Sequence, residues 1–487
     1  MYTNQPNEII MQKDESGDIT VPRAEYTARQ KSLEKNRRAI AGARAVRAAG
    51  TECLEPLPSM RTSIVNGVAT VGVGLTAAGK ASFDKYLSNA AFIGFTGQTV
   101  TGLKGLIKSK APVVELPAAL EYLISNADGA GTSLNDFADN CISDSFPSVW
   151  SGLLVSAPET DGTNSKLDDE KGNVMPTLAH YSQESIINWH YETVNNKNQL
   201  TMLVLREAVS KRNGFKVETG LQYRLLELIN GVYHQATYDK DGDIITELSP
   251  VVINGKQLDR IPFRVICTSH GDKSVIDDLV DANFEHYNLY ADYGNKLHES
   301  SFVVWYEVGI EDGQASSNCT MGPGTKWNGG QGAGFGVLQA DGNADSHRIG
   351  LKDTEYRLST LGADMLKESS AAESGAAKAL DKVSTNSTTI DVANTISAAI
   401  TSSIQDIADL LGVSGDISYK LNTDYDPSGM SGQDLTAYVS AWHMGAFDKA
   451  ELDHKLQRGE VIRADTDLKV MNKNIDNEQN GLGGGAE

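Results

Sequence analysis

The sequence predicts an α+β fold, in which a block of antiparallel strands and several long helices occupy different parts of the chain. Strand-like runs separated by turn signals fill Thr177 to Arg264. Helical periodicity covers Ser274 to His298 and His347 to Lys367, on either side of a Gly-rich β segment. A third helix, Thr389 to Leu411, has an apolar stripe at three-to-four-residue spacing. With 487 residues, we expect roughly two to four structural units.

The N-terminal third is predicted to be mainly helical. Arg23 to Gly50 is an Ala- and Arg-rich helical arm whose basic side chains either form a solvated helix face or contact an acidic neighbour. The elements predicted after it are helical spacing over Ser82 to Lys110, a short helix Ala118 to Ser125, an amphipathic helix Asn135 to Phe146 and a buried strand Gly152 to Ala157.

The middle third is predicted to be an antiparallel β region. Its strands are Thr201 to Leu205, Gln222 to Ile229, Gly231 to Tyr238, Ile244 to Leu248 and Pro250 to Ile253. The dipeptides between them, Asn230-Gly231, Asp241-Gly242 and Asn254-Gly255, favour tight hairpin turns. A short buried strand, Ile261 to Ile266, leads into the first long helix.

The third long helix has two contrasting faces. The apolar stripe predicted to pack along one side is Val392, Ile396, Ile400, Ile404, Ile407 and Leu411. The opposite face, expected to bind nothing tightly, carries Asn394, Ser397, Thr401, Ser402 and Gln405. Before this helix, Ser369 to Thr388 is rich in small residues and predicts a surface loop, or a mobile loop that touches a polyanion through Lys378 and Lys382.

Charge and cysteine usage exclude several classes of protein. The net charge of -21 repels nucleic-acid phosphates and anionic lipid, so a sequence-specific DNA-binding protein is disfavoured. Cys53, Cys141, Cys267 and Cys319 form no C-x-x-C pair, which disfavours a disulfide scaffold and a zinc module. The start of the sequence is not typical of a signal peptide, and the uncharged runs Thr62 to Gly79 and Tyr86 to Leu103 are too polar to span a bilayer. We expect a soluble protein of a reducing compartment, with no membrane partner.

One motif suggests nucleotide chemistry. Gly74 to Lys80 fits the first seven positions of a phosphate-binding loop, and Val68 to Val73 could be its strand. The eighth position is Ala81, so the hydroxyl that should hold Mg²⁺ is missing, and no apolar run ending in Asp completes the site. A loop capped by a helix that begins near Leu75 or Ser82 is the simpler interpretation.

No other motif completes a catalytic or metal site. Asp239, Asp241 and Asp243 resemble the start of a calcium loop, but the glycine is misplaced and an acidic hairpin turn fits better. The glycines from Gly329 to Gly336 lack the dinucleotide-binding spacing, and the His residues form no i, i+4 ligand pair. We therefore expect no catalytic residues, no metal, no cofactor and no enzyme activity.

The order of elements resembles the portal, or head-to-tail connector, proteins of tailed double-stranded DNA bacteriophages. The resemblance extends from about residue 80 to 465 and depends on the number and order of family-typical strings. These strings are Phe92 to Leu103, Asp128 to Leu134, Ser185 to Trp189, Ile261 to Phe263 and His286 to His298. The resemblance implies a ring, usually of about twelve subunits, at one capsid vertex, with DNA passing through the axial channel.

The same resemblance divides the chain into the parts of a portal fold. It implies a β-rich and helical wing, a two-helix stem, a small α/β clip, a long channel helix and a helical crown. The implied boundaries are N-terminal arm 1–56, wing 57–270, stem helix 271–298, clip 299–345, stem helix 346–367, tunnel loop 368–388, wing with the long channel-side helix and a returning strand 389–430, crown 431–474 and disordered tail 475–487.

The resemblance also implies partners and contact residues. The predicted DNA-channel contacts are Lys378, Lys382, Ser374 and Ser384; the predicted clip anchors are Trp327 and Phe335; the predicted capsid or scaffold contacts are Arg37, Arg38 and Arg44. The clip would bind the terminase large subunit first and a head-tail adaptor protein later, and the ring would contact the major capsid and scaffolding proteins. The protein would be assembled in the host cytoplasm and reside in the virion, at the portal vertex.

Two alternatives stay open on the sequence. One is another virion structural protein, such as a tail or capsid component, which would assemble without a DNA-wide channel. The other is a nucleotide-binding protein that uses Gly74 to Lys80.

Overall fold

The computed structural model describes most of the chain. The described residues are 18–65, 68–72, 74–156, 175–194, 196–253, 256–267, 273–301, 303–308, 332, 334–339, 344–366, 375–423, 425, 432–458, 461–462, 466, 468 and 470–475. Helices and strands occupy different stretches of these residues, as an α+β fold requires. The contacts divide the chain into two compact units, the first comprising 1–367 and 375–423 and the second 368–374 and 424–487.

The N-terminal part of the first unit is mainly helical. Local sequence explains two of its helix starts, because Thr76 and Ser133 each accept a hydrogen bond from the backbone N–H three residues later. The helices are α1 Ala24–Ala41, α2 Ala43–Ala48, α3 Pro58–Arg61, α4 Ala77–Asn89, α5 Phe95–Ile107, α6 Tyr122–Ser125 and α7 Leu134–Ser145. The short strands β1 Thr62–Val65 and β2 Val68–Val71 pair as an antiparallel hairpin, and β3 Val113–Glu115 follows α5.

Two antiparallel sheets follow. Strands β4 Trp150–Ser156 and β5 Thr177–Tyr181 form a three-stranded sheet with the later strand β13 Phe263–Cys267, in the order β13-β4-β5. The five-stranded sheet is a meander in the order β10-β9-β8-β7-β6, with strands β6 Ile186–Val194, β7 Lys197–Asn213, β8 Lys216–Ile229, β9 Val232–Asp239 and β10 Ile244–Pro250. A small hairpin, β11 Val252–Ile253 with β12 Lys256–Gln257, links the two sheets.

The predicted β region is therefore confirmed, including the turns at Asn230-Gly231 and Asp241-Gly242, whereas Asn254-Gly255 lies outside the described residues. Asn230 and Gly231 both take positive φ, at 50° and 77°, so the β8–β9 turn has the twist that hairpins prefer. The Asp239 carboxylate accepts hydrogen bonds from the backbone N–H groups of Asp241 and Asp243, both at 2.9 Å, which makes this segment an acidic hairpin turn as expected.

The C-terminal part of the first unit contains the predicted long helices. Helices α8 Asp277–Ser300 and α9 Asp345–Leu366 enclose the antiparallel hairpin of β14 Val303–Val308 and β15 Gly334–Gln339. Helix α10 then runs from Gly375 to Leu411, and β16 Ser418–Lys420 returns to pair with β3. Helix α10 thus begins well before Thr389, and the second half of the predicted loop 368–388 is helical.

The second unit includes the segment predicted as a helical crown. Its helices are α11 Gly432–His443 and α12 Lys449–Arg458, which contact each other across a turn where Gly445 has φ 77°. Lys455 Nζ lies 5.2 Å from the ring centroid of Tyr438, and Leu452 is buried. Helices thus occupy 432–443 and 449–458 of the segment 431–474, and its assignment as a crown stays a prediction.

Candidate functional site: the helix pair, its β hairpin and the long helix

Helices α8 and α9 form an antiparallel pair. Leu279 and Ala282 of α8 form a buried cluster with Leu358 of α9. Farther along α8, His286 Nε2 lies 3.4 Å from Glu355 Oε1 of α9. The contacts on α9 move toward its start as those on α8 move toward its end, which fixes the antiparallel direction.

A buried asparagine attaches this pair to the start of α5. The Asn283 Oδ1 atom accepts hydrogen bonds from the backbone N–H and the hydroxyl of Thr96, at 3.2 and 3.0 Å, and Asn283 Nδ2 donates to Ile93 O at 2.8 Å. Helix α5 has no capping side chain of its own, because its N-cap is Gly94. Asn283 therefore caps α5 from another helix and leaves no buried amide atom unpaired.

A glycine lets α8 approach α4 closely. A Cβ atom on Gly294 would lie 2.9 Å from the backbone oxygen of Asn89, at the end of α4. One turn from this contact, the Tyr86 hydroxyl of α4 donates to Asp292 Oδ1 of α8 at 2.6 Å. Burial, reinforced by that carboxylate, raises the pKa of Tyr86, which keeps its hydroxyl a donor. The residues that make the Asn283, Gly294 and Asp292 contacts lie within the family-typical segments Phe92 to Leu103 and His286 to His298 or close to them in the sequence.

The apolar stripe of α10 packs into the core as predicted, and the polar face of the helix also makes contacts. Val392, Ile396, Ile400, Ile404 and Ile407 are all fully buried, whereas Leu411, the last predicted member, is half-buried. The expectation that the opposite face binds nothing tightly is wrong, because two of its residues hold the returning strand. Thr401 Oγ1 accepts a hydrogen bond from Tyr419 N at 3.0 Å, and Ser397 Oγ accepts one from Leu421 N at 3.0 Å.

Sequence reasoning missed the strongest polar contact of α10. The Asp406 side chain is 1% exposed and accepts hydrogen bonds from the guanidinium groups of Arg260 and Arg264, each with Nη2 at 2.6 Å. Burial alone would lower the pKa of Arg260, but its hydrogen bonds to Asp406 raise it, so this arginine stays charged. A single Asp between Ile404 and Ile407 gives no sequence signal of this ion pair. An acidic residue within an apolar stripe is nevertheless a reason to look for a buried partner.

The predicted DNA contacts fall on the start of α10. Lys378, Lys382 and Ser384 belong to its helical backbone, and the two lysines are four residues apart, which places them on one helix face. Ser374 lies outside the described residues. DNA contact by these residues stays a prediction.

The predicted clip anchors are described only in part. Phe335 lies on β15, paired with Glu307 of β14. Trp327 lies outside the described residues. The segment 299–345 therefore contains the predicted β structure, and its binding to partners stays a prediction.

The basic N-terminal helix makes acidic contacts within its own chain. Arg37 Nη2 lies 2.5 Å from Asp144 Oδ1 and 2.6 Å from Glu184 Oε2. Burial alone would raise the pKa of Glu184, but the Arg37 hydrogen bonds lower it. Arg38 pairs with Glu52 at 2.6 Å, whereas Arg44 is exposed. The acidic side chains that this helix contacts thus belong, at least in part, to its own chain. Contact of Arg37, Arg38 and Arg44 with capsid or scaffolding proteins stays a prediction.

The loop Gly74 to Lys80 does not have the structure of a phosphate site. The N–H of Thr76 donates to Met60 O at 3.1 Å, and the N–H of Gly79 donates to Thr76 Oγ1 at 2.9 Å, so two amides that would cradle a phosphate are already paired. Strand β2 belongs to a two-stranded antiparallel hairpin. The simpler interpretation is confirmed: Thr76 caps a helix that begins at Ala77.

The described ranges contain neither a metal-binding cluster nor a membrane-spanning helix. No three His, Cys, Asp or Glu side chains among the described residues are grouped so that they could hold a metal ion. Within the same ranges, no helix has both the length and the apolar content needed to cross a bilayer.

Comparison with known proteins gives one family match and distant structural neighbours. A family described as a domain of unknown function, DUF4055, matches residues 276–410, the segment from α8 to the end of α10. No curated protein matches the chain. Similar solved structures include "Neck of native GTA particle computed with C12 symmetry", at 10% identity, and "Neck of empty GTA particle computed with C6 symmetry", at 12%. Each has a TM-score of 0.36 and covers 76% of this chain and 92% of that chain.

Proposed function

We propose that this protein is a portal-type head-to-tail connector, a ring-forming virion protein that conducts double-stranded DNA during packaging and ejection. The observation that carries the proposal is the continuous arrangement of α8, the β14–β15 hairpin, α9 and α10. This is the order of stem, clip, stem and channel helix that the portal resemblance implies. The family match covers the same segment, 276–410, which supports treating it as one unit.

The dimensions of these helices suit a part that lines a passage. Helix α8 has 24 residues and α10 has 37, so their axes extend about 36 and 55 Å at the usual rise per residue. The contacts of Asn283, Gly294 and Asp406 fix α8 and α10 to the body of the first unit. A helix held along its length can face moving DNA without being displaced.

The charge of the chain supports transport of DNA in preference to tight binding. Twelve copies of a chain with net charge -21 carry roughly -250 charges, so phosphate attraction is confined to a few basic positions. DNA held by many strong phosphate contacts would not slide. Lys378 and Lys382, at the start of α10, supply weak and salt-screened contacts in this proposal.

The segment 299–345 is the docking platform for the terminase large subunit and then for a head-tail adaptor. The capsid and scaffolding proteins contact the outside of the ring. The protein is not an enzyme, and the energy for DNA movement comes from the docked terminase.

Electron microscopy of the purified protein, with its mass measured in solution, tests this function. We expect rings with a central hole wide enough for duplex DNA, about 20 Å across or more, since a B-form helix must pass. Solid or open assemblies would favour another virion structural role. A monomer unchanged by concentration would contradict the proposal.

A further inference from the structure

Strands β7 and β8 continue far beyond the sheet that contains them. Strand β6 pairs with β7 only as far as Leu205, and β9 pairs with β8 only from Gln222 onward. Between these points, β7 and β8 stay paired to the turn at Asn213 and Lys216 without a register shift. Residues 208–221 therefore form a two-stranded ribbon, the β arm, about 20 Å long.

The β arm is exposed and apolar at its tip. All residues from Lys211 to Leu221 are exposed. Phe215, in the turn, is 102% exposed, and Val217 is 63% exposed. Isolated two-stranded ribbons are marginally stable in water, and a fully exposed Phe at a tip is typical of a residue that a partner covers.

An aromatic cleft of matching size lies between the two sheets. Its volume is about 190 Å³, and Trp150, Trp189 and Phe263 form its inner walls. Tyr191, Val265 and Cys267 line it as well and are exposed, so the cleft is open to a partner. A cavity of about 150 Å³ with apolar walls is enough to bind benzene, so this cleft has room for a Phe ring.

The arm cannot reach the cleft of its own chain. Leu203 of β7 lines the cleft, and the strand runs on for ten residues from there to Asn213, at the turn. Ten residues of a continuous strand span about 33 Å. Phe215 thus lies far from its own cleft and can fill only that of another molecule.

Charge favours a second copy of this chain as that molecule. Residues 210–220 contain Lys211, Arg212 and Lys216 against Glu218 alone, a basic segment in a chain of net charge -21. Two acidic side chains lie near the cleft. Glu192 follows the cleft residue Tyr191, and Asp259, whose carboxylate is 82% exposed, accepts a hydrogen bond at its backbone oxygen from Gln199, which precedes the cleft residue Leu200. Arg260 lies 3.2 Å from Asp259 but also pairs with Asp406 and Asp409, so the guanidinium groups of Arg260 and Arg264 are shared among three carboxylates. A basic tip and an acidic rim are complementary.

We propose that the β arm of one subunit inserts Phe215 into the aromatic cleft of the next. The contact uses different surfaces on its two sides, so repeating it gives a ring if the rotation closes and a filament if it does not. This inference rests on the proposed ring but assigns the contact that builds it to Phe215 and the residues of the cleft.

Disulfide trapping tests the contact directly. In a Cys319→Ser background, Phe215→Cys places a thiol at the arm tip, beside Cys267 of the neighbouring cleft. Oxidation of the assembled protein should give a ladder of covalent multimers on a non-reducing gel. Two controls should give none: Thr219→Cys, on the same exposed arm, and Phe215→Cys combined with Cys267→Ser. Because Phe215 is fully exposed, its replacement leaves the fold intact.

A second variant measures the contribution of the contact to assembly. Phe215→Asp should raise the concentration at which half the protein is assembled by at least about ten-fold, whereas Val217→Asp should change it less. Rings that form without the cross-link, and equally well with Phe215→Asp, would overturn the arm contact and leave the proposed function standing. Cross-linked filaments without rings would keep the arm contact and overturn the ring. A wild-type chain that stays monomeric would overturn both.

Discussion

The buried carboxylate of Asp406 accepts two hydrogen bonds from the guanidinium of Arg264, Nη2 to Oδ1 at 2.6 Å and Nε to Oδ2 at 3.0 Å. This pair joins the long helix α10 to β13, the strand that precedes the helix pair. Arg260 shares Oδ1 of the same carboxylate. The helix proposed to lie beside the channel is thus attached to the three-stranded sheet by a charge cluster as well as by apolar packing.

Asp406→Asn is expected to lower the free energy of unfolding by about 3 kcal/mol, because it leaves two arginines around a neutral amide in a buried site. Urea denaturation of the two proteins measures the difference. Asp409→Asn is the matched control, since Asp409 also pairs with Arg260 but its side chain is 45% exposed, and its loss should cost under about 1 kcal/mol. Equal effects of the two substitutions would show that the buried Asp406 cluster contributes no more to stability than an exposed ion pair.

Two glycines in the helix pair should respond to alanine with opposite signs. Gly294→Ala should destabilise the fold by about 1–3 kcal/mol, because its Cβ would lie 2.9 Å from the Asn89 oxygen. Gly350→Ala should stabilise it by up to about 1 kcal/mol through helix propensity, because the nearest atom to its Cβ, on Leu289, is 3.9 Å away. Thermal unfolding of both variants compares them. Stabilisation by Gly294→Ala would mean that α4 and α8 are not closely packed.

Stability should fall between about pH 7.5 and 5.5 through His180. Burial lowers the pKa of His180 below its usual 6.5, with Arg37 opposing the attraction of Asp144 and Glu184. Below about pH 6.5, His180 binds a proton in the unfolded chain but stays neutral in the folded chain. Acidification therefore favours unfolding. His180→Gln should reduce this loss between the two pH values, measured by urea denaturation at each. An unchanged pH dependence would assign it to other groups.

The lysines at the start of α10 should affect DNA packaging. Lys378→Ala combined with Lys382→Ala is expected to reduce the number of DNA-filled capsids by roughly two- to ten-fold, because it removes weak phosphate contacts from every subunit. The control, Lys85→Ala with Lys240→Ala, changes the net charge equally at two exposed positions outside α8, α9 and α10. Packaging and DNA retention equal to wild type would show that Lys378 and Lys382 are bystanders.

The sequence by itself determined the elements whose signals are local. Periodicity located α8 and α9 within a few residues, and Asn230-Gly231 specified its hairpin, because both residues tolerate positive φ. Periodicity also identified the buried stripe of α10 from Val392 to Ile407. The start of α10 was misplaced, because Ala-rich and Ser-rich composition is compatible with both loop and helix.

Only the tertiary structure decided which polar residues have buried partners. Asn283, Asp406 and Arg37 are ordinary polar residues in the sequence, and their roles depend on partners more than a hundred residues away. The β arm was missed for a related reason: its first strand, Ala208 to Asn213, has no regular alternation of apolar and polar residues, and the pairing up to the turn shows only in the register of β7 and β8. Contacts between residues far apart in sequence produce no local periodicity, so the partners cannot be identified from the sequence pattern even though the sequence encodes them.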